Sequence, residues 1–340
     1  MRRKALIVLS LLLILAVVLS GCSGKTSSKV QKGLKVGQVT DVGGIDDQSF
    51  NATAWKGIEQ AIEDYEVDGR YLESQQPTDY MANINEFVQQ DYDLIITVGF
   101  LLGEDTATAA QANPDTNFAI VDYAYDPVIP NVLGLVYATD QASFMAGYLA
   151  AGMSETGKVA TFGGMEIPPV TIFMVGFDAG VKYYNQENDT NVEVLGTDYY
   201  VGNFESTDDG RRAAESLMDE GADIIFPVAG PVGVGAAEVV KERGGMFIGV
   251  DADMYYTAPA YRDVMLTSVM KNMDVSCYEA IEAVGDGSFE GGVLLGDLTN
   301  GGVGLAPYHD FEDEVPNKLK REVEKVAKDL ASGKISTGWE

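Results

Sequence analysis

Three aspartates stand where a parallel sheet would present them to a ligand. Asp41, Asp122 and Asp251 each follow a short apolar run with the pattern of a buried strand. In an open α/β sheet, ligands bind beyond the carboxyl ends of the strands, near the point where the strand order reverses. A carboxylate there accepts hydrogen bonds from hydroxyl or amino groups of a neutral ligand. Each aspartate also suits the N-cap of the following helix, so both roles remain open.

Glycines and aromatic residues in the same regions suit a flat ligand. Gly99 and Gly230 also follow apolar runs, where a glycine lets backbone N–H groups approach a ligand or lets the chain turn sharply. Phe50, Phe204 and Phe226 lie in or near predicted elements, and such a phenylalanine usually belongs to the core. Alternatively, two of these rings on opposing lobes clamp the faces of a heterocycle. Composition alone does not decide between the two roles.

The side chains that enzymes use most often are scarce. His309 is the only histidine, and Cys22 and Cys277 are too far apart for a CxxC site, which argues against catalytic triads and histidine-based metal sites. The segment 41–47, Asp-Val-Gly-Gly-Ile-Asp-Asp, is related to the calcium loop of nucleoside hydrolases, but Val39 replaces an aspartate and the internal Pro-Gly is missing. The calcium ligand set is therefore incomplete. We expect a protein that is not an enzyme and needs no cofactor, with a nucleoside-processing hydrolase as an alternative.

The elements that must position these residues alternate along the chain. Runs that are apolar on both faces predict strands at 34–40, 94–98, 118–121, 132–136, 158–162, 192–195, 223–228, 246–250 and 264–269. Apolar residues at three- and four-residue spacing predict helices that include 50–65, 84–90, 142–153, 210–220 and 235–243. Buried strands separated by helices indicate βαβ units and an α/β fold with parallel sheets. So many strands favour two lobes over one.

Composition agrees with a globular chain of two domains. The 340 residues are 46% hydrophobic, which is enough apolar material for two cores. The 52 acidic residues outnumber the 23 basic ones, and the formal charge is −29. A surface this acidic repels phosphate backbones, so nucleic acid is not an expected partner.

The N-terminus has the pattern of a bacterial lipoprotein signal. A basic start, residues 1–4, precedes an apolar run, 5–19, that is short for a membrane span. The run ends in Leu-Ser-Gly-Cys22, which resembles the lipobox whose cysteine becomes the lipid-modified first residue. Residues 1–21 are therefore predicted to be a signal peptide and 22–33 a flexible tether. We expect a lipid anchor at the extracytoplasmic face of the cell membrane.

Several motifs resemble those of one family. Residues 39–51, Val-Thr-Asp-Val-Gly-Gly-Ile-Asp-Asp-Gln-Ser-Phe-Asn, resemble the N-terminal motif of the basic membrane protein family, lipoprotein receptors of ABC importers whose best-understood members bind purine nucleosides. The likeness continues, in the same order, through 55–57, 117–122, 144–149, 176–180, 221–230, 248–251 and 267–271. It implies a type I periplasmic-binding-protein fold, in which two Rossmann-like lobes are joined by three crossovers.

The resemblance also implies roles for individual residues. Asp41, Asn51 and Asp122 would hold the edge of the base, and Phe50 would stack on one of its faces. Phe226 would cover the other face, with Phe204 as the competing candidate. Gly230, Asp251 and Lys271 would hold the ribose.

The expected protein is a membrane-anchored, monomeric receptor that closes two lobes on a nucleoside and passes it to ABC permease and ATPase subunits. The first lobe is predicted to comprise 35–139 plus about 275–295, and the second 140–271 plus about 296–340. Some relatives bind riboflavin or serve as surface antigens. A ligand-binding sensor or surface antigen without transport is therefore a further alternative.

Overall fold

The computed structural model describes residues 30, 31 and 33–339. The predicted signal peptide, Cys22 and most of the tether lie outside the described residues. Within the described part of the chain, no helix combines the length and the hydropathy needed to cross a membrane.

Two six-stranded sheets organise the described chain. The strands are β1 (Lys35–Val39), β2 (Asp68–Leu72), β3 (Leu94–Val98), β4 (Asn117–Val121), β5 (Val132–Tyr137), β6 (Lys158–Gly163), β7 (Glu193–Leu195), β8 (Ile224–Val228), β9 (Met246–Asp251), β10 (Met265–Lys271), β11 (Gly292–Gly296) and β12 (Val303–Leu305). The first sheet has the order β11-β5-β4-β3-β1-β2, with all neighbours parallel. The second has the order β12-β10-β9-β8-β6-β7, in which β12 is antiparallel to β10 and the other pairs are parallel. The predicted α/β class is confirmed.

Helices surround both sheets. They are α1 (Phe50–Tyr65), α2 (Tyr80–Gln89), α3 (Gly103–Ala112), α4 (Thr139–Met153), α5 (Pro168–Asn188), α6 (Thr207–Asp219), α7 (Val232–Arg243), α8 (Met254–Thr257), α9 (Met273–Asp286) and α10 (Asn317–Ala331). Because helices lie over their faces, the central strands β3 and β8 are buried at every residue. Edge strands bury less, and the apolar-run criterion missed three of the four, β2, β11 and β12, but found β7.

Two of the motifs shared with the family form one close helix contact. Helices α4 and α5 pack against each other through glycines. A Cβ atom at Gly147 would lie 2.0 Å from the carbonyl oxygen of Phe177, and one at Gly180 would lie 2.0 Å from that of Phe144. Only glycine permits backbones this close, so these motif residues build the second lobe rather than the cleft.

Within residues 33–339, the chain crosses from one sheet to the other three times. The crossings follow β5, β10 and β11 in turn. They are tied together, since the N–H of Ala138 donates to the Gly296 carbonyl at 2.8 Å and that of Asn272 to the Gly302 carbonyl at 2.9 Å. Helix α9 packs against α1 of the first lobe, whereas α10 packs against α4 of the second.

Candidate functional site

Residues at the carboxyl ends of strands from both sheets border a common cavity. Eight of the ten predicted ligand-binding residues line it. From the first lobe these are Asp41, Phe50, Gly99 and Asp122, and from the second Phe204, Gly230, Asp251 and Lys271. Six of the eight end a strand or follow one within two residues, as expected for an open parallel sheet.

Lys271 lies between the carboxylates of the two lobes. Its side chain is 2% exposed, and Nζ donates to Asp122 Oδ2 at 2.7 Å and lies 3.3 Å from Asp251 Oδ1. Burial alone would lower the pKa of Lys271, but the charges of Asp122 and Asp251 outweigh it and raise the pKa, so the ammonium is charged. Nζ also lies 4.5 Å from the ring centroid of Phe50, within cation–π range. The ammonium group of Lys271, a residue of the second lobe, is thus bound by the Asp122 carboxylate of the first lobe.

Asp41, Asp122 and Asp251 are not used as helix caps. The cap of α8 is Asp253, whose carboxylate accepts the N–H of Tyr255. Asp122 and Asp251 adopt left-handed backbone conformations, with φ of 64° and 65°. Such conformations are disfavoured for residues other than glycine, and they concentrate at functional sites, where surrounding structure stabilises them. Both carboxylates are thereby directed at Lys271.

Asn51 does not line the cavity, contrary to expectation. Its side chain is 1% exposed and lies behind Asp41, where Nδ2 donates to Asp41 Oδ1 at 2.7 Å and to Asp47 Oδ2 at 3.1 Å. Its own Oδ1 has no hydrogen-bond partner among the described residues. Because α1 begins at Phe50, the ring of that residue reaches the cleft while Asn51 points into the lobe. Asn51 therefore supports a cavity residue.

Asp47 is a cavity residue that was not among the predicted ones. Burial raises its pKa from 3.8 to about 7, and burial also raises the pKa of Asp41. Its oxygens accept the N–H groups of Ser49, Asn51 and Ala52, so the loop related to a calcium site instead fastens the start of α1. Across residues 33–339, no group of three or more histidine, cysteine, aspartate or glutamate side chains is arranged to hold a metal ion.

The place of Phe226 is corrected by the structure. Its side chain is fully buried and packs against Phe173 and Phe177 of α5, with ring centroids 6.4 and 5.2 Å away, because its face of β8 is covered by that helix. The competing candidate, Phe204, does line the cavity. Phe173 lines it as well, with its ring centroid 5.5 Å from Lys271 Nζ. The sequence signal for Phe173 was the Pro168-Pro169 pair, which starts a helix after a glycine-ended strand.

Comparison with known proteins decides the family. The sequence model of the PnrA-like ABC transporter substrate-binding proteins matches residues 34–338. The chain belongs to this family. The predicted membership is confirmed, and the family is one of ABC transporter substrate-binding proteins.

Individual relatives cover nearly the whole chain. The ABC transporter nucleoside-binding protein BmpA of Lactococcus lactis is 30% identical over 360 residues, covering 99% of each chain. Basic membrane protein A of Borreliella burgdorferi is 32% identical, covering 96% of this chain and 92% of the relative. A solved solute-binding protein of an ABC transporter from Aeropyrum pernix superposes with a TM-score of 0.82 at 29% identity, covering 89% and 92%. The predicted type I fold of two Rossmann-like lobes is confirmed.

Proposed function

We propose that this substrate-binding protein holds a nucleoside, of the purine type, between its lobes and delivers it to ABC permease and ATPase subunits. The observation that carries the proposal is a cavity with aromatic rings and carboxylates from both lobes around one buried lysine. The printed name of the Lactococcus lactis relative, a nucleoside-binding protein, supports the same ligand class.

The first lobe suits the base. Phe50 offers a ring face for stacking, and Phe204 of the second lobe offers another in the same cavity. Asp41 and Asp122 supply acceptors for the N–H groups at the edge of a base. Gly99, with φ of 122°, keeps the wall between Asp41 and Phe50 free of a side chain.

The second lobe suits the sugar. Two neighbouring ribose hydroxyls match the two oxygens of Asp251, and Lys271 donates to a sugar oxygen while balancing the charge of that carboxylate. At Gly230, no atom lies within 4 Å of the position of a Cβ, so the backbone is open to a ligand. Contact with both lobes at once favours the closed state, so ligand binding shifts the population towards closure.

The remaining assignments concern the bounds of the lobes, the oligomeric state and the membrane anchor. We take residues 35–139 plus about 275–295 as the first lobe and 140–271 plus about 296–340 as the second, which the pairing of β11 with β5 and of β12 with β10 supports.

We further propose a monomer held at the extracytoplasmic face of the membrane by lipid on Cys22. Labelled palmitate should enter the wild-type protein and be absent from Cys22→Ala, and label in that variant would disprove the anchor.

Titration calorimetry with inosine, guanosine, adenosine and the free bases tests the ligand. Asp251→Asn should weaken nucleoside binding by about 2–4 kcal/mol, because an amide must turn one donor towards a hydroxyl donor. The free bases, which lack those hydroxyls, should bind weakly and be indifferent to the change. Phe50→Ala should weaken binding of bases and nucleosides alike.

Asp253→Asn is the matched control, since Asp253 lies two residues further on, caps α8 and does not line the cavity. It should bind as the wild type does. Nucleoside binding that is unchanged in Asp251→Asn would refute the ribose assignment. A wild-type protein that binds none of the nucleosides would refute the proposed function.

A further inference from the structure

Asp47 fastens the start of α1 from a buried position. It is 5% exposed, and its Oδ1 accepts the N–H groups of Ser49 and Ala52, both at 3.1 Å. Its Oδ2 accepts the N–H of Asn51 at 2.7 Å. The first N–H groups of a helix have no partner within the helix, and the side chain of Ser49 makes no cap bond. Asp47 therefore supplies the acceptors that α1 needs.

The same carboxylate is linked to Asp41, which also lines the cavity, through one amide. Asn51 Nδ2 donates to Asp47 Oδ2 at 3.1 Å and to Asp41 Oδ1 at 2.7 Å. Asn51 is 1% exposed, so both of its N–H bonds are committed to these carboxylates. Asp47 thus determines how Asn51 is oriented, and Asn51 in turn holds Asp41. Phe50, which begins α1, is placed by the same cap.

We propose that Asp47 is a positioning residue for ligand binding: acting through Asn51, it holds Asp41 and the stacking ring of Phe50 in place. The tests of this role that measure ligand binding rest on the proposed function. Asp41 is the titratable group that faces Asp47, which otherwise accepts hydrogen bonds from backbone N–H groups and from the amide of Asn51. The neighbouring Asp46 is exposed, which makes it a matched control.

Asp47→Asn breaks both bonds from Asn51 and keeps the other two cap bonds. The amide oxygen can still accept from Ser49 and Ala52, but the new amide donor would face the two donors of Asn51. Inosine affinity, measured by calorimetry, should fall about 10- to 100-fold. Asp46→Asn should leave it unchanged. Combining Asp47→Asn with Asn51→Ala should cost little more than either change alone, because both break one chain of contacts.

The pH profile gives a readout that a merely structural role would not move. With a pKa of about 7, Asp47 gains a proton as the pH falls from 8 to 6, which places an O–H donor against the donors of Asn51. Inosine affinity should decline over this range in the wild type and in Asp46→Asn, and decline less in Asp47→Asn, where Asp41 is the remaining buried carboxyl with a raised pKa. A profile as steep in Asp47→Asn as in the wild type, or additive losses in the double variant, would overturn the positioning role.

Hydrogen exchange on the protein without ligand tests the same proposal independently of the ligand class. In Asp47→Asn, the N–H of Asn51 should exchange faster than in wild type and in Asp46→Asn, whereas the N–H groups of β3 should keep their protection. Unchanged exchange at Asn51 would overturn the proposal. If exchange at Asn51 is faster in Asp47→Asn but the wild-type protein binds no nucleoside, Asp47 still orders this loop and only the proposed function is refuted.

Discussion

Replacing Lys271 with methionine keeps an unbranched side chain of similar length and removes its ammonium group. The carboxylates of Asp122 and Asp251, which lie 2.7 and 3.3 Å from Nζ, would then remain buried without a counter-ion. Breaking a buried ion pair by removing one partner costs about 3–5 kcal/mol, because the charge left behind is neither paired nor hydrated. We expect the free energy of unfolding to fall by about that amount at pH 8.

Urea unfolding at pH 8 and pH 5 measures this loss. In Lys271→Met, the pKa of Asp122, which burial already raises, should rise further above its unfolded value. Protonation at pH 5 should therefore restore part of the stability that is lost at pH 8. Lys182→Met is the control, because Lys182 forms an exposed pair with Asp178 at 2.5 Å, and such pairs contribute about 1 kcal/mol or less. A loss in Lys271→Met as small as in this control, or one that does not shrink at pH 5, would refute the reasoning.

Three further outcomes are expected. Phe226→Ala should lower the free energy of unfolding by about 3–5 kcal/mol, because it leaves a cavity in the core. Phe204→Ala should weaken nucleoside binding with little change in stability. Thermal unfolding and titration calorimetry would show the reversed pattern if these assignments were wrong. Gly147→Ala places a methyl group 2.0 Å from a carbonyl oxygen of α5 and should lower the melting temperature. Gly304→Ala, where no atom lies within 4 Å of the added Cβ, should leave the melting temperature unchanged. Equal melting temperatures of the two variants would contradict the close contact between α4 and α5. Burial raises the pKa of Asp47 from 3.8 to about 7, so the folded state binds a proton between these values. The contribution of Asp47 to the free energy of unfolding is present below about pH 4, and up to about 4 kcal/mol of it is lost as the pH rises through 7. If urea unfolding gives the same pH slope for wild type and Asp47→Asn, this expectation is wrong.

Sequence reasoning works well for the parts of this fold that depend on burial. Strands such as β3 and β8 are apolar at nearly every position because both of their faces are covered, and that pattern is visible without a structure. Asp41, Asp122 and Asp251 were identifiable for a related reason. In a parallel sheet, the residue that ends a strand reaches the ligand edge whatever the details of packing.

The direction of a side chain is harder to predict. Phe226 and Phe204 are equally aromatic, and only the pairing and covering of β8 show that Phe226 points into the core. Asn51 and Asp47 are similarly ambiguous, because a short loop can direct either one to the cleft. Their hydrogen bonds decide the matter, and these depend on where α1 begins.

The three crossings between the sheets have a consequence for how the molecule acquires its structure. The first sheet begins with β1 but is completed by β11, whose Gly292 pairs with Leu133 of β5. Helix α9 must likewise reach α1, and the Cα atoms there approach so closely that a Cβ at Gly57 would lie 2.2 Å from the carbonyl oxygen of Asp274. Neither sheet is formed by a continuous stretch of chain, so a nascent chain completes the first only once β11 has been made and the second only once β12 has been made, and such distant pairings form slowly. A chain cut short before residue 292 would leave β5 as an open edge that invites aggregation. The two sheets are separate, but each depends for its completion on a strand made after most of the other sheet.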